Sequence, residues 1–179
     1  MKKLFCIILA IILAGSMSAC EDSIELNGTH FPRFEENFIN PLPEECYDLT
    51  NCHNMYIEKT EALFGDPNYV ISFILRFDNL SELETHLQRI NITLAEERQL
   101  HDKTYYVFQG SQEELDEYTN TKIYDGWYFI YEIIAVDPER LEVEYLYAYF
   151  WDYWKKDDLL ISKLEEVFKA AVVTDHNSQ

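Results

Sequence analysis

Glycine and proline are scarce in this chain, with five of each in 179 residues. So few glycines leave little material for the tight turns that cradle phosphates or dinucleotides, and no Gly-rich loop, GxSxG elbow or HExxH pair occurs. Basic residues are also few: 14 Lys and Arg stand against 33 Asp and Glu, a formal net charge of −19. A surface this negative repels phosphate backbones, which excludes nucleic acid as a partner, and it repels anionic lipid headgroups as well. The acids are scattered and do not form a DxDxDG calcium loop with a distant Glu. No CxxC or HxxH occurs to complete a tetrahedral metal set, so neither a metal nor a cofactor is implied.

Long apolar runs are few too. The run Leu4 to Leu13 is only about half the roughly 20 residues that a membrane-spanning helix needs. Lys2 and Lys3 precede it, and the small residues Ala14, Gly15, Ser16, Ser18 and Ala19 follow, ending at Cys20. This three-part layout is that of a secretory signal. Its end resembles the lipobox of bacterial lipoproteins, in which cleavage falls just before a cysteine that becomes diacylated. Ser18 and Ala19 suit that pattern, while Met17 stands where Leu is usual. The resemblance implies cleavage between Ala19 and Cys20 and a mature chain anchored to a membrane through lipid on Cys20. It covers about the first 20 residues and says nothing of the fold that follows. The alternative is an ordinary secretory signal cut after Ser16, Ser18 or Ala19, with Cys20 left as a thiol.

The acidic pair Glu21 and Asp22 directly after Cys20 resembles lipoprotein sorting signals, and in Bacteroidetes-like bacteria it implies surface display. Cys6 departs with the signal. If Cys20 carries lipid, Cys46 and Cys52 remain as one pair, which in an oxidising envelope would close a small disulfide ring around "CYDLTNC". Two free thiols are the alternative. Loss of Lys2 and Lys3 lowers the net charge from −19 to −21, and a charge of that size attracts a basic protein partner.

The remaining length suits one domain with a real core. The expected division is 1–19 signal peptide, 20–43 lipidated Cys with tether and extended wrap, 44–174 α+β domain and 175–179 disordered tail. Phe31, Phe34, Phe38 and Ile39 suggest that part of the wrap packs on the domain. Glu44 to Phe64 reads as a helix, with Tyr56, Ile57, Thr60, Leu63 and Phe64 at helical spacing and "GDPNY" after it. "YVISFILRF", Tyr69 to Phe77, reads as a strand buried on both sides. "DNLSELETHLQRI" follows as an amphipathic helix with Ser81 and Glu84 in capping-box spacing.

"KTYYVFQG", Lys103 to Gly110, is a second strand, and "SQEELDEYTNT" a short helix with Ser111 and Glu114 in capping-box positions. "GWYFIYEIIAV" and "LEVEYLYAYFW" are β-rich runs joined by "DPER" and should pair as an antiparallel hairpin. "DDLLISKLEEVFKAAVV" puts Leu160, Leu164, Val167, Phe168 and Ala171 on one helical face. The expected fold is therefore a single α+β domain. Its sheet would have about four strands, mainly antiparallel or mixed, with a C-terminal hairpin and helices packed on one face.

Twelve aromatics lie between Tyr124 and Trp154, among them all three tryptophans. Alternation along "LEVEYLYAYFWDYW" places Tyr145, Tyr147, Tyr149 and Trp151 on one strand face. With Trp154 they are the candidate binding residues, as a tyrosine-rich face for a protein, peptide or sugar ring. The bland alternative is that these rings are core beneath helices. No catalytic residue is assigned; His101 beside Asp102 is the most suggestive pair.

The sequence thus reads as a lipid-anchored protein of the bacterial cell envelope with an acidic, non-enzymatic domain that binds a protein or ligand or serves a structural role. An immunity or inhibitor protein neutralising a cationic toxin or enzyme is the second reading. A hydrolase without a recognisable motif is the third, because catalytic groups can converge only in the fold.

Overall fold

The computed structural model describes residues 23–26, 29–32, 34–45, 52–60, 68–120, 128–151 and 158–173. Strands β1 (Ser23–Leu26) and β2 (Thr29–Pro32) pair as a small antiparallel hairpin, and the helical turn α1 (Phe34–Asn37) follows. After the strands β3 (Cys52–Thr60) and β4 (Asn68–Arg76) come helix α2 (Leu80–Leu87), a 3-10 turn (Ile92–Leu94), and strands β5 (Glu96–Leu100) and β6 (Lys103–Gln109). Helix α3 (Gln112–Asn120), strands β7 (Tyr128–Asp137) and β8 (Glu142–Trp151), helix α4 (Asp158–Lys169) and the two-residue strand β9 (Ala171–Val172) complete the order.

Seven strands join in one sheet, in the order β3-β4-β8-β7-β6-β5-β9, and every pairing is antiparallel. This corrects the expected architecture of about four strands with helices on one face. The expected count omits β3, β5 and the two-residue β9, because none of the three looks like a strand in sequence. Tyr56, Ile57 and Thr60 have helical spacing, yet they lie in β3, opposite Ser72, Ile71 and Asn68 of β4; the helix expected over Glu44 to Phe64 is thus replaced by a strand from Cys52 to Thr60. A bulge between His53 and Tyr56, with Asn54 at φ 51°, breaks the period-2 signal there. β5 reads "EERQL" and is largely exposed, so it carries no apolar alternation at all.

Helices cover both faces because both faces of the central strands are apolar. On one side Tyr69, Ile71, Phe73 and Leu75 of β4, Ile134 and Val136 of β7, and Val143, Tyr145, Tyr147 and Tyr149 of β8 pack with Leu83 of α2 and with Phe31, Phe34, Phe38 and Leu42. On the other side Phe129, Tyr131 and Ile133 of β7 and Leu146, Ala148 and Phe150 of β8 pack with Leu115 of α3 and with Leu160, Leu164, Val167 and Phe168 of α4. Ala171, expected on that helical face, instead begins β9 and pairs with Gln99. β4, paired on both edges and buried over most of its length, is the doubly covered strand its composition implies.

β7 and β8 form the hairpin, in register from Asp137 opposite Glu142 to Tyr128 opposite Trp151. Its turn is held by Arg140 N–H donating to Asp137 Oδ1 at 3.0 Å, with Leu141 at φ 56°. Helix α2 starts two residues earlier than the expected box: Asn79 is the cap, accepting from Glu82 N–H at 3.0 Å, while Glu82 Oε2 accepts from Asp78 N–H at 3.3 Å. At α3 the expected cap stands, with Glu114 N–H donating to Ser111 Oγ at 3.2 Å.

The segment 34–45 is a strap across the first face, and here the expected wrap is a built part of the core. Phe31, Phe34 and Phe38 are buried and Ile39 is exposed. Phe34 and Phe38 both meet the Tyr147 ring edge-on at 5.0 Å. Each buried phenylalanine contributes about 2 kcal/mol of apolar transfer. The strap's backbone is pinned by Glu132, a fully buried carboxylate that accepts from Ile39 N–H at 2.6 Å, Asn40 N–H at 2.8 Å and Asn40 Nδ2 at 2.6 Å. Burial pushes the Glu132 carboxyl above its usual range, and the donors from Asn40, Ile39 and Gln109 oppose that shift.

Candidate functional site

The tyrosine-rich strand face does not lie open. Tyr145, Tyr147 and Tyr149 are only 1%, 0% and 3% exposed. They are core beneath the strap and α2, stacked on β4 partners: Phe73 on Tyr145 at 4.9 Å and Tyr69 on Tyr149 at 5.5 Å. The bland alternative therefore describes these three rings. The Trp151 side chain and Trp154 lie outside the described residues, as do Cys20 and Cys46, so the Cys46–Cys52 pairing falls there too. Cys52 opens β3, opposite Leu75.

His101 occupies the β5–β6 turn at φ 54°, exposed, beside a polar recess of about 320 Å³. Asp102, Tyr105, Asp137, Glu139, Arg140 and Glu166 share that recess, and no serine, threonine or cysteine lines it beside His101. Among the described residues no group of three or more His, Cys, Asp or Glu side chains is placed to hold a metal ion.

A smaller cavity of about 110 Å³ adjoins it under α4, sharing Lys103, Tyr105 and Glu166. Within it Lys163 Nζ donates to Ser72 Oγ at 2.9 Å and to Glu144 Oε1 at 2.5 Å. A serine next to a lysine suggests a nucleophile and its base, but a base must be neutral to accept a proton. Lys163 is instead engaged in an ion pair with Glu144 at 2.5 Å, and the pair ties α4 to β4 and β8. Tyr105 donates to Glu166 Oε1 at 2.7 Å; burial, then that carboxylate, drives the phenol well above its ordinary value.

The site that combines space with varied chemistry lies on the opposite face of the sheet, where the strap meets α2. Two clefts, of about 330 and 270 Å³, join at Glu45, His86 and Arg89. α2 presents Leu83 to the core and turns His86 inward beside it; the imidazole is 4% exposed. Its Nε2 lies 2.6 Å from Tyr145 Oη, within hydrogen-bond distance. Nδ1 has no hydrogen-bond partner. The Glu45 carboxylate is its nearest counter-charge, with Oε1 at 3.6 Å, and the same oxygen accepts from Arg89 Nη1 at 3.1 Å. Burial holds the His86 pKa below its ordinary 6.5; Glu45 opposes this and Arg89 adds to it.

Sequence reasoning missed this site. His86 stands alone in the chain and Glu45 lies far from it. The local signal was the i, i+3 pair His86 and Arg89, set beside the apolar stripe of α2; nothing in the sequence connects that pair to the strap. Comparison with known proteins returns no match from family models, curated proteins or solved structures.

Proposed function

We propose that the chain is a cell-envelope lipoprotein, acylated at Cys20, whose acidic domain is a non-enzymatic binding module. The observation that carries this reading is the boundary at Cys20, where the basic start, the apolar run and the small residues end. Strand β1 begins at Ser23, three residues later, so the folded domain would sit within about 11 Å of its lipid. The net charge of −21 leaves attachment to the acyl chains alone, since the surface repels anionic headgroups. Glu21 and Asp22 support display at the cell surface.

Binding rather than catalysis is supported by the strap–α2 clefts, which are of ligand size and mix polar with apolar lining, and by the engagement of Lys163 with Glu144. Among macromolecules the charge favours a basic protein partner, met quickly and in a salt-sensitive way. Neutralisation of a cationic toxin is a second reading on the same charge; unchanged toxin sensitivity after loss of the gene counts against it.

The direct test is the intact mass and N-terminal peptide of the protein purified from a bacterial membrane. The expected result is a peptide beginning at diacylated Cys20, with Cys46 and Cys52 joined in the same spectrum. An unmodified N-terminus at Met17, Ala19 or Cys20 would overturn the anchor.

A further inference from the structure

We infer that the double cleft between the strap and α2 binds a neutral saccharide. This rests on reading the domain as a binding module and does not depend on acylation of Cys20.

The clefts are of ligand size: about 330 Å³ on the α2 side and 270 Å³ on the strap side, against roughly 300–1,000 Å³ for small-molecule sites. Their lining decides the class of ligand. The larger cleft sets the carboxylates of Glu45, Asp78 and Glu82 among the guanidinium groups of Arg76 and Arg89. An anion meets three carboxylates and the field of a strongly acidic chain. A small cation finds two of those carboxylates already engaged, Glu45 by Arg89 at 3.1 Å and Glu82 by Asp78 N–H and Asn79 Nδ2, with the guanidinium groups beside them. A sugar hydroxyl both donates and accepts, so a polyhydroxylated ring pairs with donors and acceptors placed side by side.

The carboxylates are partly committed to the protein but retain acceptor capacity. Glu82 accepts from Asp78 N–H and Asn79 Nδ2, and Glu45 accepts from Arg89 through one oxygen. Arg89 makes that single bond from a side chain that is 62% exposed, which leaves guanidinium donors facing the cleft. Phe77, which is half-buried, supplies the apolar wall on which the C–H face of a sugar ring rests. The Phe77 ring is fixed against His86, with centroids 4.9 Å apart.

His86 gives a further reason for a hydroxyl at the junction. Its Nδ1 is a buried polar atom without a hydrogen bond, with Glu45 Oε1 at 3.6 Å. The Glu45 side chain is 28% exposed and lines both clefts beside Nδ1. A hydroxyl, which can donate or accept, entering there would pair with Nδ1 and with the Glu45 carboxylate.

The test is saturation-transfer NMR on the full chain with glucose, galactose, mannose, N-acetylglucosamine and maltose, beside charged glucuronate and glucosamine. Transfer to at least one neutral sugar is expected, together with a shift of the His86 Nδ1 nitrogen resonance. Arg89→Ala and Glu45→Gln should each weaken affinity about tenfold or more, the loss of one charge-assisted hydrogen bond. Arg89 lies outside the core, and an unchanged circular dichroism melt would show that the fold survives its removal. No transfer to any neutral sugar at about 50 mM overturns the inference, because binding weaker than that is not specific recognition. Equal affinity in both variants overturns it too, as does preference for glucuronate or glucosamine. A chain lipidated at Cys20 that ignores every sugar would sink this inference while leaving the lipoprotein reading standing.

Discussion

Asn40 meets Glu132 twice through one carboxylate oxygen, the backbone N–H at 2.8 Å and the side-chain Nδ2 at 2.6 Å. Asn40 also accepts from Asn91 N–H at 3.4 Å through Oδ1. One asparagine in the strap thereby joins β7, in the middle of the sheet, to the turn that follows α2. The Glu132 carboxylate is buried so completely that these donors take the place of water around it.

Glu132→Leu should therefore release the strap. It leaves the N–H groups of Ile39 and Asn40 and the Asn40 amide without their acceptor, at a cost of about 3 to 5 kcal/mol. Urea unfolding measures the total, and hydrogen exchange at the amides of Ile39 and Asn40 locates it. Unchanged protection of those two amides would mean that the strap is held by Phe34 and Phe38 without the latch.

Two buried groups give opposite dependences on pH. His86 has its pKa lowered from 6.5 by burial, so below about that pH the unfolded chain binds more protons than the folded one. Its contribution to stability is complete above pH 6.5 and is lost as pH falls through the folded value. Glu132 has its pKa raised from 4.5 by burial, so its contribution is complete below 4.5 and is lost as pH rises through the folded value. Urea midpoints from pH 4 to 8 should show His86→Phe reducing the loss on the acid side. An acid slope identical in this variant and the parent would remove His86 as its source.

Gly110 follows β6 at φ +101°, and a Cβ placed there would stand 2.3 Å from Tyr131 Cδ1, in the core beside α4. Gly110→Ala combines left-handed strain with a clash against a ring that has no free space. The two together should cost about 2 to 4 kcal/mol. A thermal melt checks this, and a shift of less than a degree or two would show that the strand end relocates at little cost.

Several elements were legible because their patterns are local. The apolar run of β4, the aromatic hairpin of β7 and β8, and the stripe of α4 all carry their own period, and the structure places them accordingly. β3 and β5 were not legible for two different reasons. Ile57 and its neighbours mimic a helical period across a bulge, and β5 is a mostly exposed strand without an apolar face. The candidate cleft was illegible because its parts come from separate segments. Glu45 ends the strap and His86 and Arg89 lie on and just after α2, and only packing brings the three together.

By itself the sequence determined the character of the molecule: the acidic charge, the signal-like start ending at Cys20, the scarcity of glycine and the strands with their own apolar period. These depend on composition and on neighbours a few residues apart, which the chain carries before it folds. Tertiary structure decided which aromatic surface is buried. Alternation puts Tyr145, Tyr147 and Tyr149 on one face, but whether that face meets water depends on a strap about 100 residues earlier in the chain, latched by a single carboxylate on the neighbouring strand. Long-range burial of that kind is fixed by the competition among all apolar surfaces for cover, and no local period records its outcome.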